Sequence, residues 1–331
     1  MRAVVYTASG DVVGQERREP VPGPGEALLR PLAVGICGTD LHPASFAFDP
    51  DVVMGHEFSA TIVGLGPDVK GWGTGDRVVV NPNGILCGAC DACRCGKANL
   101  CDPARRASIG IHRDGGLAEL VAVPVQALYR LPQALSDEVA AWVEPLAANI
   151  RAVTAAGSVL GLPALVIGGG PMGLLTLQLL RNAGAAFVGV LEPVQFRRAV
   201  ADQLGADETY ESAELAESAT SGPPQVVFEC SGSPRALSDA LHLVAPGGSI
   251  TAVGIGPAGP GVLPMDLVGK EITVRGSSLY VGEFPLAIDM LARGSIDVGP
   301  LISGVEPLER YAEAFRQMRR PEAAVKYLLR P

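Results

Sequence analysis

Four of the seven cysteines form one run, Cys87-Gly-Ala-Cys90-Asp-Ala-Cys93, with Cys101 following after seven more residues. Two-residue gaps let a tight loop aim three thiolates at one point, and a fourth from just downstream closes a tetrahedron. Zinc takes that donor set when its role is structural, because four protein ligands leave no open position for chemistry. Free or disulfide-bonded cysteines are the bland alternative, and an iron–sulfur cluster is another, although its usual runs close with a shorter last gap. Cys95 is a spare thiol inside the run.

A second constellation is more reactive in kind. Cys37-Gly-Thr39-Asp40-Leu-His42 and Gly55-His56-Glu57 bring a thiol, imidazoles and carboxyls from two segments, and the chain has only four histidines. Such donors can bind zinc and leave one position for water or substrate. Glu144 stands among Trp142, Val143, Pro145 and Leu146, surroundings that suit a buried acid. Its burial is costly unless a cation pairs with it.

A third motif, Gly168-Gly-Gly170-Pro171-Met172-Gly173, follows the apolar run Ala164–Ile167 and opens an apolar helical stretch. In that context the glycines read as a dinucleotide turn. The first allows the turn, the second lets a pyrophosphate approach the backbone, and the third lets helix and strand pack closely. The helix N-terminus offers free N–H groups to the phosphates. Glu192 ends the next apolar run, where a carboxylate accepts the ribose hydroxyls of NAD and repels the extra phosphate of NADP. Arg197 and Arg198 follow and pull the other way, towards a phosphate.

These motifs need two frameworks. Up to about residue 140, short Val/Ile/Leu pieces such as 27–34, 60–64 and 77–80 alternate with turn residues, the pattern of antiparallel strands in a barrel-like domain. After residue 145, apolar strands (164–167, 187–191, 226–228, 249–253) alternate with helical stretches (172–184, 195–204), which predicts βαβ units and a parallel sheet. A final strand at 324–329 is expected to return to the first domain. The expected division is 1–145 with a zinc lobe at about 84–104, then 146–282, then 283–331. At 331 residues with 48% hydrophobic content, the chain can fill two cores. A net charge of −9 argues against a nucleic-acid surface. The strand-like start and the lack of any membrane-length apolar run point to a soluble, cytoplasmic protein.

Taken in order, the Cys-Gly-Thr-Asp-Leu-His segment, Gly-His-Glu, the four-cysteine lobe, Asp114-Gly-Gly-Leu-Ala-Glu119, the Glu144 segment and the glycine turn resemble the zinc-dependent medium-chain alcohol dehydrogenases. The likeness is strongest to the sorbitol/polyol and threonine dehydrogenase branch and covers essentially the whole chain. It implies an α/β chain: a GroES-like β-barrel catalytic domain plus a doubly wound Rossmann cofactor domain. It also implies two zinc ions per chain, and NAD. The catalytic zinc would be held by Cys37 and His56, with Glu57 and Glu144 as carboxylate ligands, one of them direct. Thr39 would relay the alcohol proton and His42 pass it to solvent, with Asp40 orienting a ligand. Cys230-Ser231-Gly232 and Val253-Gly254 would contact the cofactor, and Lys326 would lie near its pyrophosphate. Asn83 and Glu119 would meet substrate hydroxyls, and the segment with Phe46 and Phe48 would wall the pocket. The implied activity is hydride transfer from a polyol, sugar, cyclitol or amino alcohol to NAD. The alternatives are an NADPH-dependent ketone or aldehyde reductase and a silent NAD-binding protein. Dimers or tetramers would form along an edge strand near Ile272–Ser277.

Overall fold

The computed structural model describes residues 1–218, 222–257, 259, 261–262 and 264–331. Two large sheets carry the chemistry. The first is antiparallel except at its C-terminal edge and runs Ile302–Pro307, Lys326–Arg330, Glu26–Gly35, Glu57–Leu65, Arg77–Val80 and Leu128–Arg130, with Val121–Pro124 also on Glu26–Gly35. Pro31 cannot donate to the ladder, and the pairing of its strand with Glu57–Leu65 shifts register between Pro31 and Ala33. The last strand, Lys326–Arg330, pairs Leu328 with Gly35 and Leu329 with Val34, so the chain's end closes on the strand that leads to Cys37.

The second sheet is parallel throughout, in the order Glu208–Tyr210, Phe187–Leu191, Pro163–Ile167, Val226–Glu229, Ser249–Ala252 and Thr273–Gly276. Strand order reverses direction between Pro163–Ile167 and Val226–Glu229, which is where such sheets open a crevice for ligands. Buried residues fill the central strands Pro163–Ile167, Phe187–Leu191 and Val226–Glu229 because helices cover both faces. Helices Val143–Ala156, Pro171–Asn182 and Phe284–Ala292 share one core with this sheet, and Val79 of the first sheet and Val325, just before its last strand, join that core. The two sheets are thus packed together rather than tethered. Phe48 is taken into the core of the first sheet, its ring edge-on to Tyr6 at 6.2 Å.

Candidate active site

Antiparallel pairing sets Gly35 opposite Glu57. The residues just beyond that pair, Cys37 on one strand's exit and His56 on the other's entrance, are therefore neighbours. Ligand atoms of Cys37, His56 and Glu57 lie within 4.8 Å of one another. The 3-10 turn Thr39–Leu41 then curls back over them. Asp40, fully buried, accepts the Cys37 N–H through Oδ2 at 2.9 Å and sets Oδ1 3.6 Å from His56 Nδ1. Thr39 Oγ1 stands 3.3 Å from the other ring nitrogen, Nε2. Glu144, in the first turn of Val143–Ala156, is buried and faces the same cluster, outside the 4.8 Å triad. His42 lies at the end of the turn and is exposed.

Lys326 occupies this cluster too. Its ammonium pairs with Glu57 and lies 5.1 Å from the centre of the Trp142 ring, with both charged side chains 3% exposed. A side chain at position 35 would fall on the Glu57 carboxylate and close to Lys326 Nζ, so glycine there makes room for the pair. Strand pairing with Glu26–Gly35 draws Lys326 to Glu57, on the metal-site side.

Electrostatics follow from burial and close charges. Burial opposes the charge on Glu57, but Lys326 and then His56 outweigh it and hold the carboxyl below its usual range. Burial likewise opposes a charged His56, yet Asp40 and Cys37 raise its pKa well above the usual imidazole value. Lys326 is raised against burial by Glu57 and Cys37. Glu144 is pushed up to about 7, first by burial and then by Glu57. Burial also raises Asp40. Four acidic groups and two basic ones thus share one dry site, a balance that a divalent cation would even out.

The donor set fits zinc: sulfur, imidazole nitrogen and carboxylate oxygen. Asp40 Oδ1 and His56 Nδ1 are buried without a hydrogen-bond partner, facing each other. With a carboxylate on the Nδ1 side, Nε2 is the nitrogen left for an ion, the carboxylate–imidazole arrangement that metal-bound histidines use. In the lobe, Cys87, Cys90, Cys93 and Cys101 also gather their sulfurs within 4.8 Å. Separations of 3.6 Å (Cys87–Cys101) and 3.9 Å (Cys87–Cys93) suit a tetrahedron with metal–sulfur bonds of about 2.3 Å, and are far beyond the roughly 2.05 Å of a disulfide. N–H groups of Ala89 and Cys90 lower Cys87 to about 6, while burial and the other thiols push Cys93 up to about 12. Cys95 is exposed and outside the cluster.

The glycine turn forms the opposite wall. Gly168 has φ +108° and leaves no space for a Cβ against Ser231, while a Cβ on Gly173 would fall on the Gly168 carbonyl. Helix Pro171–Asn182 starts there with Pro171 and Met172, its N-cap Gly170 lacking a side-chain cap. Glu192 is buried and accepts the Gly169 N–H at 2.6 Å and the Val194 N–H at 2.9 Å. Arg197 reaches towards Gly170, its nearest nitrogen 3.9 Å from where a Cβ would stand, and donates to the Ala324 carbonyl at 3.1 Å. Arg197 is thus a cation beside the turn. Arg198 donates instead to the carbonyls of Glu192 and Pro193. Segment Ala324–Lys326 therefore bridges the two walls, with its Ala324 end at the turn and its Lys326 end at Glu57.

At the neighbouring strand end, Glu229 accepts N–H groups of Ser231 and Gly232 and the Ser231 hydroxyl at 2.7–2.8 Å. Val253 and Gly254 donate to the Glu229 carbonyl, packing Gly254 against Gly232. Cys230 is buried, its thiol 3.6 Å from the Thr176 hydroxyl and pushed up to about 12 by burial. Glu229 escaped sequence reasoning, although an acid closing a buried strand just before Cys-Ser-Gly was the available signal.

Both expected substrate groups have protein partners. Glu119 is clamped by Arg2, through the backbone N–H at 2.8 Å and the guanidinium at 2.6 Å, because Ala118 bridges to Ala3. Asn83 spends its amide on Tyr280, donating to the phenol at 3.2 Å, and on Ser108, whose hydroxyl it accepts at 2.5 Å. Tyr280, buried at 4% exposure, had no sequence signal beyond a lone aromatic after a strand.

Comparison with known proteins agrees with this architecture. Residues 23–133 match the alcohol dehydrogenase GroES-like domain and residues 171–293 the zinc-binding dehydrogenase domain. The chain is 33% identical to a sorbitol dehydrogenase of Gallus gallus over 99% of its length and 96% of the relative's. It is 34% identical to an L-threonine 3-dehydrogenase of Pyrococcus horikoshii, covering 91% and 90%. A solved zinc-binding dehydrogenase from Sinorhizobium meliloti 1021, bound to NADP, superposes with a TM-score of 0.92 at 33% identity, covering 100% of this chain and 99% of that one. With the fold, the clustered donors and these matches in agreement, the chain belongs to the zinc-dependent medium-chain alcohol dehydrogenase family, in its polyol and threonine dehydrogenase branch.

Proposed function

We propose that this dehydrogenase holds two zinc ions per chain, one structural and one catalytic, and transfers hydride from a secondary alcohol of a polyol, sugar, cyclitol or amino alcohol to NAD. The observation that carries the reading is the triad of half-buried Cys37 with buried His56 and Glu57, joined through Ala324–Lys326 to the cation beside the glycine turn. Cys37, His56 and either Glu57 or Glu144 would hold the catalytic ion; Cys87, Cys90, Cys93 and Cys101 the other. When bound, the zinc supplies Lewis acidity to the alcohol oxygen and the nicotinamide accepts hydride.

The chain's own groups do the rest. Asp40 keeps the proton of His56 on Nδ1 and so leaves Nε2 as a donor. Lys326 holds Glu57 as a carboxylate, the form that would ligate the ion. Thr39, within reach of the imidazole, accepts the alcohol proton and His42 hands it to water. Gly168–Gly173 with Arg197 receive the pyrophosphate, Glu192 the ribose, and Cys230–Gly232 with Val253–Gly254 the nicotinamide end.

A second reading, NADPH-dependent carbonyl reduction, draws on Arg198 beside Glu192 and on the NADP-bound relative. Glu192, buried at the strand tip and aimed at Gly169, favours NAD. We further propose the division 1–145, 146–282 and 283–331, pairing between copies along the exposed edge strand Thr273–Gly276, and a cytoplasmic setting. Among the described residues no helix is long and apolar enough to cross a membrane. A panel of polyols, inositols, aminocyclitols, threonine and simple alcohols, followed by NADH absorbance, tests the activity. NADH formation at least tenfold faster with polyhydroxy or amino alcohols is expected. Turnover only with NADPH and a ketone would favour the second reading, and none with any alcohol would overturn the first.

A further inference from the structure

One fully buried polar side chain sits where packing alone would favour an apolar one. Asn149 lies inside helix Val143–Ala156 at 0% exposure, and the helix's other buried residues from Pro145 to Val153 are all apolar. Asparagine is a modest helix former, and a buried amide is costly unless its polar atoms find partners. Here both donors and the oxygen find them. Nδ2 donates to the Pro145 carbonyl at 2.8 Å and to Met172 Sδ at 3.4 Å. Oδ1 accepts the Thr176 hydroxyl at 2.7 Å. These partners fix which way the amide faces. The Cys230 thiol, kept protonated by burial, stands 3.6 Å from the same hydroxyl, so the chain of polar groups extends to the neighbouring strand end.

What this network grips is the second half of the glycine turn. Backbone N–H groups pin the first half, Gly168 on the Leu191 carbonyl at 2.8 Å and Gly169 on Glu192 at 2.6 Å. From Gly170 to Gly173 there is less to hold. Gly170 and Gly173 have no side chain, and Pro171 has no N–H to donate. Met172 is the remaining handle, a flexible thioether by nature. Asn149 restrains its sulfur, and the Thr176 hydroxyl lies 2.9 Å from its carbonyl. We infer that Asn149 is a positioning residue for the dinucleotide: with Thr176 it orders the Gly170–Gly173 half of the turn in advance, a cost that pyrophosphate binding would otherwise carry. The inference rests on the proposed dinucleotide role of that turn. It joins the turn to helix Val143–Ala156 on one side and to the strand end at Cys230 on the other.

The test titrates the zinc-loaded enzyme with NADH by fluorescence, and with ADP-ribose by competition against NADH, well below the melting temperature. Asn149→Leu nearly keeps the volume and removes the amide. Thr176→Val removes only the hydroxyl, and Thr176→Ser retains one. Both dissociation constants should rise about 3–10-fold in Asn149→Leu and in Thr176→Val, the range for ordering one freely rotating side chain on binding. Thr176→Ser should stay within about twofold of wild type, and the double variant Asn149→Leu with Thr176→Val should lose little more than either single one. Dissociation constants unchanged in both Asn149→Leu and Thr176→Val, whatever their melting temperatures, would mark the network as packing alone and overturn the inference while leaving dinucleotide binding intact. A loss with NADH but none with ADP-ribose would place the effect at the nicotinamide end and overturn it too. Wild-type enzyme that binds neither NADH nor NADPH would overturn the dinucleotide reading, and the inference with it.

Discussion

Replacing Lys326 with methionine isolates the strongest electrostatic commitment of the structure. The substitution keeps most of the side chain's volume but leaves Glu57, 3% exposed, with its counter-ion gone. Breaking one half of a buried ion pair costs about 3–5 kcal/mol, mostly the penalty of an uncompensated charge. At roughly 2 °C per kcal/mol for a chain of this size or somewhat smaller, the melting temperature should fall by about 6–10 °C. Zinc at the same site offers Glu57 a second cation, so saturating zinc should pull the loss to the low end. Glu57→Gln added to Lys326→Met removes the stranded charge and should recover at least half of the loss. The pH range of the pair's contribution follows from the two shifts. Glu57 is lowered from 4.5, so its share is complete above 4.5 and fades as pH falls through the folded value. Lys326 is raised from 10.5, so its share is complete below 10.5 and fades as pH rises through the folded value. Wild type minus variant should therefore be flat between those limits in a series of thermal melts. A single variant that melts within 1–2 °C of wild type, or a double variant no better than the single, would refute the reasoning.

Other outcomes separate the remaining parts. Cys37→Ser should abolish turnover while NAD affinity, measured by fluorescence titration, stays within a few-fold, whereas Cys93→Ser should chiefly lower folding yield and zinc content; equal loss of solubility in both would contradict that division. Gly170→Ala meets no protein atom nearer than 3.9 Å, so it should raise the NAD dissociation constant at least tenfold without shifting the melting temperature. Gly173→Ala, whose Cβ would collide with the Gly168 carbonyl, should lose both, as calorimetry and titration would read. Glu192→Ser should shrink the preference for NAD over NADP in kcat/KM at least tenfold, and an unchanged ratio would remove Glu192 from cofactor choice.

Much of this site was legible because its signals are local. Cys87–Cys93 and Gly168–Gly173 declare themselves through spacing within one loop, and the strands at 163–167, 187–191 and 226–229 through unbroken apolar runs. Cys37, His56 and Glu57 were legible as donor types, yet only the Gly35–Glu57 register makes them neighbours. What sequence could not reach was the pairing of distant polar groups. The ion pair of Lys326 with Glu57 forms only because its strand joins Glu26–Gly35. Asn83 and Glu119 are polar loop residues, which carry no mark of the protein partners that will hold them. Tyr280 and Arg2, those partners, lie 197 and 117 residues away. Such pairs are settled by tertiary packing, which residue types alone do not encode.

The central claim is that a divalent metal binds between Cys37 and His56 opposite the glycine turn. A crystal grown with zinc and NAD, with anomalous data collected on both sides of the zinc edge, tests it directly. The account predicts two anomalous peaks per chain. One should lie about 2.3 Å from Cys37 Sγ and about 2.0–2.1 Å from a His56 ring nitrogen, the other amid the four lobe sulfurs. Peaks at the lobe alone, or a metal held by neither Cys37 nor His56, would contradict it.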